Sequence, residues 1–162
     1  EVDPKDYAFH RNQVILGQQL FRHGANANLD APPNGFSPLH IACNSCSVTN
    51  LDFIQLLLEN GANPNVHDAF YGLTPIMSAF PMAPGAVKFL LEWSTPSTTD
   101  IDIHITSNHF GITLLHMVHL TIEDKSNQAT LHDNPDQRVK DAFLVQQWRE
   151  IEKMLVDMGG SR

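Results

Sequence analysis

The sequence predicts an all-α solenoid: about three to four stacked helix–turn–helix units carrying short hairpin fingers, organised as one domain over residues 1–162. Three observations predict it. A turn followed by a helix start recurs, as "NGFSPLHIA" (34–42), "YGLTPIMSA" (71–79) and "FGITLLHMV" (110–118). A Leu-rich run ending in Gly-Ala-Asn recurs, as "FRHGANANLD" (21–30) and "LENGANPNVHD" (58–68). Such a unit cannot bury its apolar face alone, so the units must stack.

Each element has a local cause. Ser37, Thr74 and Thr113 stand where helices begin, and their hydroxyls can cap orphan N–H groups. Pro38 and Pro75 follow in the first turn, where a missing N–H costs nothing. Gly24 and Gly61 follow Leu-rich helices and can take the left-handed conformation that ends them. Asn-X-Asn then supplies turn chemistry for a hairpin. The order is turn, helix, loop, helix, hairpin.

These motifs resemble the ankyrin repeat, with its Thr-Pro-Leu-His-X-Ala signature and period of about 33 residues. The spacings run longer. Gly35 to Gly72 is 37 residues and Gly72 to Gly111 is 39. The first excess lies in "NSCSVTN", between two helices, and the second in the finger "STPSTTDIDIHITSNH". The units fall near 1–33 (partial), 34–70, 71–109 and 110–162, the last with an insert near 121–146. The first half of that insert is polar and acidic, and Glu123 to Gln137 is expected to be mobile. The second half is helix-like. Val139, Phe143, Trp148, Ile151 and Leu155 can line one face of it, extending the second helix of the last unit and packing on the preceding repeat. The chain opens on a second helix, with the first missing or degenerate in "EVDPKDYAFH", and closes where another hairpin would begin. Natural arrays end in polar caps, so a fragment of a longer protein is expected.

Composition narrows the partners. The chain has 10 basic and 18 acidic residues, a formal charge of −8, and 42% hydrophobic residues. An acidic surface repels phosphate backbones, so nucleic acid is an unfavoured partner. No apolar run reaches the ~18 residues that a membrane span needs. Two cysteines do not make a disulfide scaffold, which points to a reducing compartment, cytoplasm or nucleus.

"HIACNSC" raises a metal or redox site. Zinc needs four ligands, and a redox pair wants a helix N-terminus. Cys43 falls late in a first helix, at a position the resemblance assigns to a small packing residue, and Cys46 falls in the loop beyond. His40 and His116 match the motif histidine, which the resemblance implies ties neighbouring hairpin backbones. His119 replaces a packing Ala. His104, His109 and His132 are scattered. No metal, cofactor or catalytic set is expected: there is no His-Glu-X-X-His, nucleophile elbow or phosphate loop.

The resemblance implies a monomeric, non-enzymatic module that binds another protein or peptide through its concave face, within a larger scaffold or regulatory protein. The alternative is a structural spacer or a substrate-delivery segment for an enzymatic domain elsewhere. The partner face is expected at Ile41, Asn44 and Ser45, at Ser78, Pro81 and Met82, and at Met117 and Leu120 of the first helices. The fingertips would add Pro32, Pro33 and Asn34, then His67, Asp68, Phe70 and Tyr71, then Asn108, His109 and Phe110. The hairpin asparagines Asn65 and Asn28 have Leu57 and Leu20 eight residues upstream, which in this family suits hydroxylation by an oxygen-sensing dioxygenase.

Overall fold

A computed structural model describes residues 4–29, 35–45, 51–93, 101–131 and 134–159. They form seven α-helices: α1 Pro4–Arg22, α2 Pro38–Asn44, α3 Leu51–Glu59, α4 Pro75–Ser78, α5 Pro84–Trp93, α6 Leu114–Leu131 and α7 Pro135–Asp157. The fold is an all-α solenoid of the expected kind. An isolated bridge pairs Thr106 with Thr113, and Phe36 is also a bridge residue. The chain divides into two compact units, Glu1–Ile101 and Asp102–Arg162.

In the first unit α2 packs on α4 and α3, while α3 packs on α1 and α5. The interior is Leu39, Cys43, Ile54, Leu57, Met77, Val87 and Leu90, all buried. The helix starts follow the sequence unevenly. At α2 the Ser37 hydroxyl accepts from the His40 N–H, and His40 Nδ1 accepts from the Ser37 N–H at 3.1 Å, a reciprocal capping box. At α4 Thr74 occupies the cap position but its side chain makes no capping bond. Met77 stands where α2 has His40, so the other half of that box is missing. The helix stops after one turn. The helix ends are alike: Gly24 (φ 83°) and Gly61 (φ 81°) are left-handed, and Ala25 and Ala62 donate to the carbonyls of Leu20 and Leu57, each at 3.0 Å. "EVDPKDYAFH" forms no separate first helix among its described residues; α1 runs through it from Pro4.

The second unit is a finger followed by a helical hairpin. Leu114, Leu115, Val118 and Ile122 of α6 and Val145, Trp148, Ile151 and Leu155 of α7 are buried. Two expectations for the insert are corrected. Its acidic half is helical rather than mobile: α6 continues to Leu131 and α7 begins at Pro135. Thr121 and Ile122 are buried, Gln128 bonds to both Asp124 and Lys125 on the solvent side, and Asn134 caps the N–H of Asp136 at 2.9 Å. His132 and Asp133 lie outside the described residues. The second half does extend the helix, but against α6 and with a different inward face. Val139 and Phe143 are 69% and 64% exposed. Phe143 is five residues from Trp148, which at 100° per residue places them about 140° apart around the helix. Asp141 and Val145 occupy the inward side instead.

Candidate partner-binding face

The partner-face positions expected in the first unit fall on α2, on the hairpin before α4, and on the turn after it. The hairpin is built from Asp68. Its backbone N–H donates to the Leu73 carbonyl at 2.9 Å, closing the loop. Its carboxylate accepts three backbone N–H groups: Phe70 at 2.8 Å and Tyr71 at 2.6 Å on Oδ1, and Leu73 at 2.7 Å on Oδ2. Burial by itself pushes this carboxyl up, but the N–H groups of Tyr71, Leu73 and Phe70 together outweigh it and hold the group below its ordinary value. His40 adds the tie across units of the repeat. Its Nδ1 accepts from Ser37, so Nε2 carries the proton and donates to the Leu73 carbonyl at 3.0 Å.

This bracing sets the fingertip side chains in solvent. Phe70 and Tyr71 are 57% and 47% exposed, and their rings meet edge to face with centroids 4.4 Å apart. Ile41 and Asn44, three residues apart on α2, face solvent. Pro81 and Met82 are exposed in the turn after α4, and His67 and Ser45 are half-buried. Two expected face residues do not belong there. Ser78 is buried, with its hydroxyl donating to the Thr74 carbonyl at 3.2 Å, because α4 lies wholly in the core. Asp68 is buried because its carboxylate is spent on the turn. An Asp in a turn can bond the backbone two residues on, as Asp68 does to Phe70, and no such role was expected from the sequence. Pro32, Pro33 and Asn34 lie outside the described residues.

The chain matches the family described as ankyrin repeats (3 copies) over residues 7–107. It belongs to the ankyrin-repeat family. Ankyrin repeats are in general protein–protein interaction modules. The match ends before α6 and α7. Among curated relatives, the chain is 36% identical over 90 residues to a zinc finger CCCH domain-containing protein 56 of Arabidopsis thaliana, covering 54% of this chain and 13% of that protein. It is 36% identical over 72 residues to a 2-5A-dependent ribonuclease of Homo sapiens, covering 44% and 9%. It is 42% identical over 67 residues to a putative ankyrin repeat protein of Rickettsia bellii, covering 40% and 26%. The chain thus spans about a quarter or less of the length of these relatives.

The remaining positions take their places in this ankyrin frame. Cys43 is fully enclosed, and burial pushes its thiol strongly up, away from the thiolate that metal binding or redox exchange needs. It packs as a small hydrophobe; Cys46 lies outside the described residues. In the second unit Asn108, His109 and Phe110 are exposed at the fingertip, Leu120 is exposed and Met117 half-buried. His116 accompanies Thr113, with Thr113 Oγ1 2.7 Å from Nδ1. His119 does not replace a packing residue as expected. It is half exposed, 3.3 Å from Glu152 and 3.6 Å from Glu123. Asn28 joins successive hairpins: Nδ2 donates to the Gly61 carbonyl at 2.8 Å and Oδ1 accepts from the Asn63 N–H at 2.7 Å. Asn65 is half-buried, and its N–H donates to the Asn63 side chain at 2.9 Å.

Proposed function

We propose that this ankyrin segment is a non-catalytic binding module. It takes a protein partner on the face formed by Ile41, Asn44, Phe70, Tyr71 and Met82, with His67 at its margin. The observation that carries this reading is the braced fingertip. Four bonds, three to Asp68 and one from His40, fix a backbone whose outward product is a pair of exposed aromatic rings. Tyr and other aromatic residues dominate interface hot spots. Rings already held in place lose little conformational freedom on binding. In the second unit Phe110, Met117 and Leu120 form a separate set of candidate contacts. Asn65 and Asn28 remain proposed hydroxylation positions, to be read by mass spectrometry as an added oxygen.

The test is affinity capture from a cell lysate with the wild-type chain and with the double variant Phe70→Ala/Tyr71→Ala, quantified by mass spectrometry. Partners retained by the wild type should be depleted at least about tenfold by the variant. Equal capture by both chains would place the binding face elsewhere.

A further inference from the structure

The proposed face has a chemical character that its position in the repeat does not dictate: its exposed side chains include no Lys, Arg, Asp or Glu. Its residues come from two stretches, 35–45 and 66–83. Of the 10 basic and 18 acidic residues in the chain, one alone, Asp68, lies in these stretches. Both Asp68 carboxylate oxygens are occupied by backbone N–H groups, and the residue is buried. His40 is also buried and bonded through both ring nitrogens. The exposed remainder is Ile41, Asn44, Ala69, Phe70, Tyr71, Pro81 and Met82. Among the described residues, the acidic groups that give the chain its net charge lie on other segments.

We infer that the partner this face selects is an uncharged, apolar peptide segment, with side chains of the Leu, Val, Pro or Phe kind at the contacting positions. This rests on the binding face proposed above. The physical choice is between two effects. A net charge of −8 attracts cations at long range. That attraction is screened beyond about 8 Å at physiological salt. At contact, a Lys or Asp of the partner would lose hydration over Phe70, Ile41 and Met82 without meeting an opposite charge, and that loss is costly. An apolar side chain loses nothing there, and the Met82 thioether side chain adapts to its shape. The contact term decides selectivity, and the long-range term affects only the encounter rate.

The experiment is selection from a random peptide library displayed on phage, with the 162-residue chain as bait. Synthetic copies of the enriched peptides are then titrated at about 0.05 and about 0.5 M NaCl. Expected are peptides with apolar, uncharged cores whose affinity changes less than about twofold with salt. Their affinity should fall at least about tenfold with Phe70→Ala and with Ile41→Lys. Both positions are exposed, so helical circular dichroism and melting should stay at the wild-type values and exclude misfolding. A second aromatic variant, Tyr71→Ser, guards against a special effect at Phe70. Enrichment of Lys- or Arg-rich peptides, including cations seated on the ring faces, would overturn the inference, as would a steep loss of affinity with salt. So would the absence of any enriched peptide, or a dimer of the chain that Phe70→Ala dissolves, which would make a second copy the occupant. If apolar peptides are enriched but ignore all three variants, the binding face itself is wrong. If charged peptides are enriched and the variants abolish them, the face stands and only its apolar selectivity fails.

Discussion

The fingers at 66–74 and 105–113 have one backbone plan and different fastenings. Each closes with the same bond, Asp68 N–H to the Leu73 carbonyl and Ser107 N–H to the Ile112 carbonyl, both 2.9 Å. Each turns on a left-handed glycine, Gly72 at φ 63° and Gly111 at φ 62°. Each ends in two rings set nearly perpendicular, 4.4 Å apart in Phe70–Tyr71 and 6.5 Å apart in His109–Phe110. Yet the Asp68 carboxylate gathers three N–H groups, whereas Ser107, 1% exposed, has a hydroxyl with no hydrogen-bond partner among the described residues. The second finger makes a different bond instead, Gly111 N–H to the Ser107 carbonyl at 2.8 Å. The glycine and the closing pair determine the hairpin's path. The acid at its base determines how firmly the tip is held, and so which finger can present aromatic rings in a fixed pose.

The largest test converts the first finger into the second. Asp68→Ser should destabilise the chain by about 2–4 kcal/mol, since it strands three part-buried N–H groups that had a charged acceptor, as measured by urea denaturation. The effect should depend on pH. The Asp68 carboxyl titrates below its ordinary 3.8 when folded. Its contribution is therefore complete above that value and is lost as pH falls through the lower folded value. The difference between wild type and variant should accordingly shrink below about pH 3.8. A difference that stays constant through that range would mean the carboxylate charge is not what holds the finger.

His40→Ala removes the other fastening and should cost about 1–3 kcal/mol, because the buried Ser37 N–H loses the ring nitrogen it donates to and the Leu73 carbonyl keeps only the Asp68 N–H. The reverse conversion, Ser107→Asp, should gain about 1 kcal/mol if the new carboxylate reaches the N–H groups of His109, Phe110 and Ile112. Hydrogen exchange gives the direct readout: those three amides should become protected in the variant. Destabilisation without new protection would show that the second finger is closed too tightly to accept an acid at its base.

Much of this was legible in the sequence. The capping Ser37, the bridging His40 and the helix-ending Gly24 and Gly61 act through contacts a few residues away or one repeat away, so their motifs carry their geometry. Thr74 was less legible, because a cap needs the helix after it to cooperate. With Met at 77 the reciprocal bond is lost and α4 is a single turn. Ser78 stands in repeat register with Ile41, 37 residues earlier, yet it is buried, and Asp68 sits in the finger yet is buried by its bonds to the turn, so neither register nor fingertip position alone gives exposure. The insert failed for another reason. Its polarity suggested a loop, but a polar segment can be one solvated side of a helix whose few inward residues, here Thr121 and Ile122, are buried. Val139 and Phe143 fit the helical spacing of Trp148, Ile151 and Leu155 only loosely, and Asp141 and Val145 are buried on α7 in their place.

The smallest expected effect is at the tips themselves, and it separates folding from recognition. Tyr71→Ala and Phe110→Ala remove rings that already stand largely in solvent, so each should shift stability by no more than about 0.5 kcal/mol. The two need not be equal. Tyr71 touches Phe70 at 4.4 Å, close enough for an aromatic pair, whereas the His109–Phe110 rings sit at 6.5 Å, near the far limit of such contact. If the pair at the first tip carries real energy, Tyr71→Ala should cost more than Phe110→Ala, and Phe70→Ala should cost no further when Tyr71 is already gone. A double-mutant cycle on Phe70 and Tyr71, with thermal melting as the readout, measures that coupling. A coupling near zero would mean that the rings adjoin without supporting one another. The rigid presentation of the first tip would then rest on Asp68 and His40 alone.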